Sequence, residues 1–109
     1  MRREMSGKLL LTVANLTAPG NSAAIQTGLN VYHTLVAKVT DVDTNVVLRA
    51  EGTIDGTNWF NLKSDASDTT ITADGVYPFL FVGMLEKIRL VFVSETLATD
   101  ATIAVSYLG

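Results

Sequence analysis

The chain has 109 residues and no cysteine; 48% of its residues are hydrophobic and only 17% are charged, with a formal net charge of −3. These values predict one domain with its own core, and they exclude disulfides, thiolate metal sites and a disordered chain. Residues 1–8 hold three basic residues and one acidic residue, whereas the remainder holds five basic and ten acidic residues. Because an acidic body repels phosphate, nucleic acid is not an expected partner.

The predicted elements are short β-strands separated by turn residues. Loops are expected at 15–21 and 96–100, and Asp55-Gly56 and Asp74-Gly75 are predicted as the tips of two hairpins. In chain order, strands are expected at 8–14, 22–27, 31–40, 46–53, 58–62, 69–73, 76–82, 87–93 and 101–108.

This pattern predicts an all-β chain, an antiparallel β-sandwich of eight or nine strands that is jelly-roll-like and spans residues 8–109. No window shows a helical stripe of apolar residues, and no apolar run reaches the roughly 18 residues of a membrane-spanning helix. Residues 1–7 lack a strand pattern and are predicted to form a flexible N-terminal arm, with Met5 as an alternative start. Synthesis in the cytoplasm and no membrane partner are expected.

No group of residues predicts catalysis, which needs a nucleophile beside a base or paired carboxylates. His33 is the single histidine, and it shares a strand face with Leu35, so we interpret it as a half-buried strand residue. The segment from Asp41 to Asn45 resembles the start of a calcium loop, but the later glycine and glutamate are missing, which favours a turn. We expect no enzyme, no catalytic residue, no cofactor and no metal site.

The segment 55–60, Asp-Gly-Thr-Asn-Trp-Phe, is the most distinctive string in the chain. It has two interpretations. In the favoured one, it is a hairpin that Trp59 or Phe60 anchors to the protein. In the alternative, it is a sugar-binding platform on which Trp59 stacks and Asp55 or Asn58 forms hydrogen bonds.

The strand predicted at 76–82 is apolar on both faces. Tyr77, Phe79 and Phe81 share one face, and the residues between them are apolar as well. Such a strand is buried on both sides, either by two sheets or by another subunit. We therefore predict a homo-oligomer, with a trimer as one option. The candidate interface residues are Arg2, Arg3, Trp59, Tyr77, Phe79 and Phe81.

Two segments, 46–62 and 87–93, resemble a known pattern. In discoidin-like, galactose-binding jelly rolls a strand runs into Ser-x-Asp-Gly-x-x-Trp, and a later strand has arginine between apolar residues. The pairing is also similar to small all-β structural proteins encoded among the head and tail genes of tailed bacteriophages. The resemblance covers under half of the chain and implies a jelly-roll fold and a place in a virion.

From these observations we expect a non-enzymatic virion structural protein of a tailed phage. The favoured role is a capsid decoration (cement) subunit, or a small head-fibre or tail component, that binds the major capsid protein or other virion proteins through repeated contacts. The alternative is a carbohydrate-binding module that uses the hairpin at 55–60.

Overall fold

A computed structural model describes residues 10–27, 31–63, 65–96 and 101–108, with side chains from residue 15 onward. The regular structure in these residues consists of ten β-strands. The described residues contain no helix of the length and hydropathy that a membrane crossing requires. The strands are β1 Leu10–Leu16, β2 Gly20–Asn21, β3 Ile25–Gln26, β4 Tyr32–Thr40, β5 Asn45–Thr53, β6 Trp59–Asn61, β7 Thr69–Ile71, β8 Gly75–Val82, β9 Lys87–Thr96 and β10 Thr102–Leu108.

The strands form two antiparallel sheets. A four-stranded sheet has the order β1-β10-β4-β8, and a six-stranded sheet has β9 and β5 at its centre. On one side of this centre, β2 and β3 both pair with β9; on the other side, β6 and β7 both pair with β5. If each of these two pairs is counted as one broken strand, the eight strands have the order of a jelly roll. The predicted all-β antiparallel sandwich is therefore confirmed.

The core lies between the two sheets and follows from the two-residue period of the long strands. On β4, Leu35, Ala37 and Val39 are fully buried, and the residues between them face outward. The facing sheet supplies Leu48 from β5 and Phe92 from β9, which are also buried. These large side chains belong to one continuous cluster, and its burial is the main favourable term in folding.

Two connections differ from the sequence prediction. Residues 15–21 are not entirely loop, because β1 continues to Leu16 and Gly20–Asn21 pairs with Phe92 and Val91 of β9. Backbone pairing with β9 alone defines the two-residue strand Gly20–Asn21, so no side-chain pattern could predict it. The Asp74-Gly75 turn is not a hairpin, since β7 and β8 lie in different sheets. Turn residues predicted the turn, but they do not specify which strands it joins.

Candidate functional site

The outer side of the four-stranded sheet is an exposed apolar surface. Residues directly opposite each other in antiparallel strands share a face, which places Tyr32 beside Val82 and Val76 beside Lys38. Tyr32 and Leu80 are each 73% exposed, and Val76 and Val82 are more than 60% exposed. We call this surface the apolar face; it comprises the outward residues of β4, β8 and β10, namely Tyr32, Thr34, Val36, Lys38, Thr40, Val76, Pro78, Leu80, Val82, Thr102, Ala104, Ser106 and Leu108.

The apolar face has little charge to keep it in water. Lys38 is the single charged residue that β4, β8 and β10 place on it. Monomeric proteins rarely expose apolar patches larger than a few hundred Å², and larger ones usually mark contact surfaces. A face of this kind is suited to packing against another β-sheet or a flat protein surface.

The aromatic residues predicted at an interface point the other way. Tyr77, Phe79 and Phe81 lie on the inner side of β8, where they are partly buried against the core. On this strand a partner can reach the alternate residues, such as Leu80 and Val82. The sequence pattern predicted a strand that is apolar on both sides, and the interface residues predicted on it lie on its inner side. Arg2 and Arg3 lie outside the described residues.

The Asp55 carboxylate organises the hairpin between β5 and β6. Its Oδ1 accepts hydrogen bonds from the backbone nitrogens of Thr57 at 2.9 Å and Asn58 at 2.8 Å, and from the Thr53 hydroxyl at 3.0 Å. Its Oδ2 accepts one from Asn58 Nδ2 at 2.6 Å. Gly56 has a φ of +83°, a conformation that glycine adopts without strain. Asp55 and Asn58, two of the candidate sugar contacts, are therefore engaged in holding the turn.

These hydrogen bonds hold the pKa of Asp55 well below its ordinary value, the bonds from the Asn58 and Thr57 backbone being the largest causes. We expect Asp55→Asn to lower the melting temperature at neutral pH. A carboxyl group whose pKa is lowered by folding stabilises the folded state above its unfolded pKa, which is near pH 4. This stabilisation is lost as the pH falls through the pKa of the folded state. Melting curves from pH 7 to pH 2 should show the gap between variant and wild type closing in acid. A gap that stays constant with pH would contradict this role.

Trp59 lies half-buried beneath a network of charged side chains on the outer side of the six-stranded sheet. The Arg89 guanidinium is 3.9 Å from the centre of the Trp59 ring, within the range of a cation–π contact. Arg89 donates two hydrogen bonds to Glu51 Oε1, at 2.7 and 2.9 Å. Arg89 therefore covers one face of Trp59, which is the third candidate sugar contact. Phe60, on the other side of the strand, is 39% exposed.

The network continues from Glu51 to Arg49 and Asp68. Arg49 donates to Glu51 Oε2 at 3.1 Å and to both oxygens of Asp68, at 2.7 and 3.1 Å. Asp68, followed by Glu51, raises the pKa of Arg49 above its ordinary value, and Arg49 lowers the pKa of Asp68. We call Asp68, Arg49, Glu51 and Arg89 the ion network. The ion network links β5 to β9 and to the segment before β7, so its role is structural.

His33 is only 2% exposed, so the half-buried position expected from the sequence is wrong. Its Nε2 donates to the carbonyl of Gly83 at 2.9 Å, since a carbonyl can only accept. Its Nδ1 lies 2.7 Å from the Tyr107 hydroxyl, which donates to it when the ring is neutral. Both ring nitrogens are thus engaged inside the sandwich. Among the described residues, no cluster of three or more His, Asp or Glu side chains could hold a metal ion.

Comparison with solved structures finds a protein of similar fold. The chain is similar in structure to the SPBc2 prophage-derived protein YomS. The similarity covers 94% of this chain and 93% of YomS, with a TM-score of 0.61 and 17% sequence identity. No protein-family model and no curated protein matches the sequence. At this identity the likeness to YomS shows the fold alone.

Proposed function

We propose that the protein is a non-enzymatic structural component of a tailed-phage virion. Its favoured role is a capsid decoration (cement) subunit or a small head-fibre or tail component, as the sequence resemblance implies. The apolar face is the observation that carries this proposal, because a surface with so little charge is suited to permanent protein contact. The similarity of the fold to a prophage-derived protein supports the viral part of it.

The direct test is the composition of purified particles. Virions of the encoding phage, banded on a density gradient and washed in salt, are expected to contain this chain in many copies per particle. Quantitative mass spectrometry, with the major capsid protein as internal reference, gives the copy number. Cryo-electron microscopy of the same particles then distinguishes head from tail. Absence of the chain from washed particles, with free chain in the lysate, would overturn the proposal.

A second copy of the chain is the partner proposed for the apolar face. Three strands spaced by about 4.8 Å, each about eight residues long, give a face of roughly 400 Å². Two such faces bury about 800 Å², the size of a weak or transient interface. A sheet can pack on its own copy at a spacing of about 10 Å, and identical faces pair naturally about a twofold axis. The area therefore supports a weak homo-oligomer that larger assemblies would reinforce.

We expect Leu80→Lys to dissociate this oligomer without unfolding the subunit. The Leu80 side chain is 73% exposed, so the monomer loses little buried area, whereas in the oligomer the ammonium would be buried in an apolar contact. Light scattering coupled to size exclusion should show the wild type above monomer mass and the variant at monomer mass. Thr70→Lys, an exposed position on β7 in the other sheet, is the matched control. A wild-type chain that stays monomeric at high micromolar concentration would contradict the self-association.

A further inference from the structure

One end of the sandwich is apolar, whereas the opposite end is acidic. Six of the eight exposed large hydrophobic side chains in the described residues lie where β4 begins, β5 and β8 end and β9 begins. We call them the apolar end; they are Val31, Tyr32, Ile54, Phe60, Val82 and Met84. Tyr32 and Val82 also belong to the apolar face, so the two surfaces are continuous. At the opposite end, the turns before β5 and β8 carry Asp41, Asp43 and Asp74.

Main-chain hydrogen bonds hold the segments of the apolar end together. The Gly83 nitrogen donates to the carbonyl of Val31 at 2.7 Å, and the Glu86 nitrogen donates to the carbonyl of Thr53 at 2.8 Å. These bonds fix the segment between β8 and β9, which carries Met84, against the residue before β4 and the end of β5. The apolar end is therefore already ordered, which reduces the ordering cost of binding.

Strand β1 begins at the same end of the sandwich. Leu10 pairs with Leu108 of β10. Leu108 pairs with Thr34 of β4, which in turn pairs with Leu80 of β8. Leu10 therefore lies level with Leu80, about 7 Å along the strands from the end of β8. The nine residues that precede Leu10 can span at most about 30 Å, so they can reach an apolar end.

The residues before Leu10 have a chemistry that suits the apolar end. They include three apolar and three basic residues and a single acidic one, namely Met1, Met5, Leu9, Arg2, Arg3, Lys8 and Glu4. The described charged residues at the apolar end are Asp55, Glu86 and Lys87, which leaves an excess of one carboxylate. A segment with an excess of positive charge and three apolar side chains is suited to an apolar surface with a carboxylate rim.

The twofold contact of the apolar face determines which copy these residues reach. A twofold axis along the strands joins the two apolar ends, whereas an axis across the strands would place each apolar end beside an acidic one. An axis along the strands also brings the β1 border of one copy over the β8 border of the other, at a sheet spacing of about 10 Å. Within one copy, β1 and β8 are separated by three strand spacings, about 14 Å. Residues 1–9 therefore start nearer to the apolar end of the second copy than to that of their own.

We propose that residues 1–9 of one copy bind the apolar end of a second copy. The contact rests on the self-association proposed for the apolar face and adds a second surface to it. Two apolar faces bury about 800 Å², whereas specific, stable interfaces bury about 1,200–2,000 Å². Two bound N-terminal segments, each contributing about 200 Å², would bring the total to the lower limit of that range.

Nuclear magnetic resonance on mixed samples tests this contact. Ser6→Cys gives a single attachment site for a nitroxide spin label, because the chain has no cysteine. The spin-labelled chain is mixed with ¹⁵N-labelled wild type at high micromolar concentration. The label should attenuate the amide signals of Val31, Ile54 and Met84, whereas the signals at 41–45 should keep their intensity. Attenuation centred on 41–45, or attenuation seen only when the label and the ¹⁵N nuclei share a chain, would overturn the proposal.

Ile54→Lys and Thr44→Lys provide the variant and its control. The Ile54 side chain is 69% exposed, so the fold should tolerate a lysine there, while the ammonium removes an apolar contact and repels the basic residues of the bound segment. The attenuation at Val31 and Met84 should fall by about threefold, as expected for one exposed charge. Thr44→Lys adds the same charge in an exposed turn at the opposite end and should leave the attenuation unchanged. Equal attenuation in wild type and Ile54→Lys would contradict the contact.

Leu80→Lys distinguishes this contact from the self-association on which it rests. In this variant the attenuation between copies should disappear together with the oligomer, and its persistence would overturn the twofold arrangement from which the contact follows. A wild type above monomer mass without attenuation at the apolar end would overturn the contact of residues 1–9 alone. A monomeric wild type without attenuation would overturn both proposals.

Discussion

Glu51→Ala is expected to lower the free energy of unfolding by about 2–4 kcal/mol. Glu51 is 8% exposed and accepts hydrogen bonds from both Arg49 and Arg89. When the Glu51 carboxylate is removed, Arg89 retains its cation–π contact with Trp59 but loses its charged partner. The Arg89 side chain is only 21% exposed. Removing one partner of a largely buried ion pair costs more than the pair contributes, because the remaining charge stays poorly solvated.

Urea unfolding at neutral pH measures this loss, with an unchanged slope as the sign that only stability has changed. Glu86→Ala is the matched control, since Glu86 is an exposed glutamate near the same end of the sheet, and its change should stay within about 0.5 kcal/mol. Glu51→Gln keeps the size and one acceptor oxygen, so its loss should lie between the two. If Glu51→Ala were as mild as Glu86→Ala, the ion network would have no structural role.

His33→Ala is expected to cost about 2–4 kcal/mol of unfolding free energy. The change removes a buried ring that stacks between Phe81 and Tyr107, with ring centres 6.3 and 6.0 Å away. It also leaves the Tyr107 hydroxyl and the Gly83 carbonyl without their partner. The same change should leave particle binding intact at temperatures where the variant is folded, because the residue lies inside the sandwich.

A double-mutant cycle with Tyr107→Phe separates the hydrogen bond from the packing. Each single variant breaks the contact between His33 Nδ1 and the Tyr107 hydroxyl, so the double variant should lose less than the two single losses added, by about 0.5–1.5 kcal/mol. Strict additivity in thermal or urea unfolding would show that the contact contributes nothing. A hydrolytic activity that disappears in His33→Ala would instead overturn the non-enzymatic proposal.

The long strands could be predicted from the sequence because their side chains alternate between core and outside. The prediction at 31–40 differs from β4 only at its first residue, and 76–82 differs from β8 by one. Of the short strands, β3, β6 and β7 lie within predicted strands, but β2 could not be found in this way. Gly20–Asn21 has neither apolar residues nor a period, and the main chain of β9 alone defines it as a strand.

The candidate sites were less predictable because they depend on which strands become neighbours. Alternation showed that β8 has two apolar sides, but it does not say which side faces the other sheet. The pairing of Arg49 with Asp68 joins residues on either side of β6 and needs the path of the intervening chain. The sequence predicted separate strands at 58–62 and 69–73, but it did not indicate that both pair with β5.

The broken border of the six-stranded sheet has a consequence for growth into fibres. An uninterrupted strand at a sheet border is a template on which another chain can add without limit. Here one border is divided into β2 and β3 and the other into β6 and β7, each only two or three residues long. In the four-stranded sheet, β8 contains Pro78, which has no N–H to offer an incoming strand. Even when many copies are crowded together, β2, β3, β6, β7 and β8 disfavour open-ended strand addition at three of the four sheet borders, and β1 (Leu10–Leu16) forms the fourth.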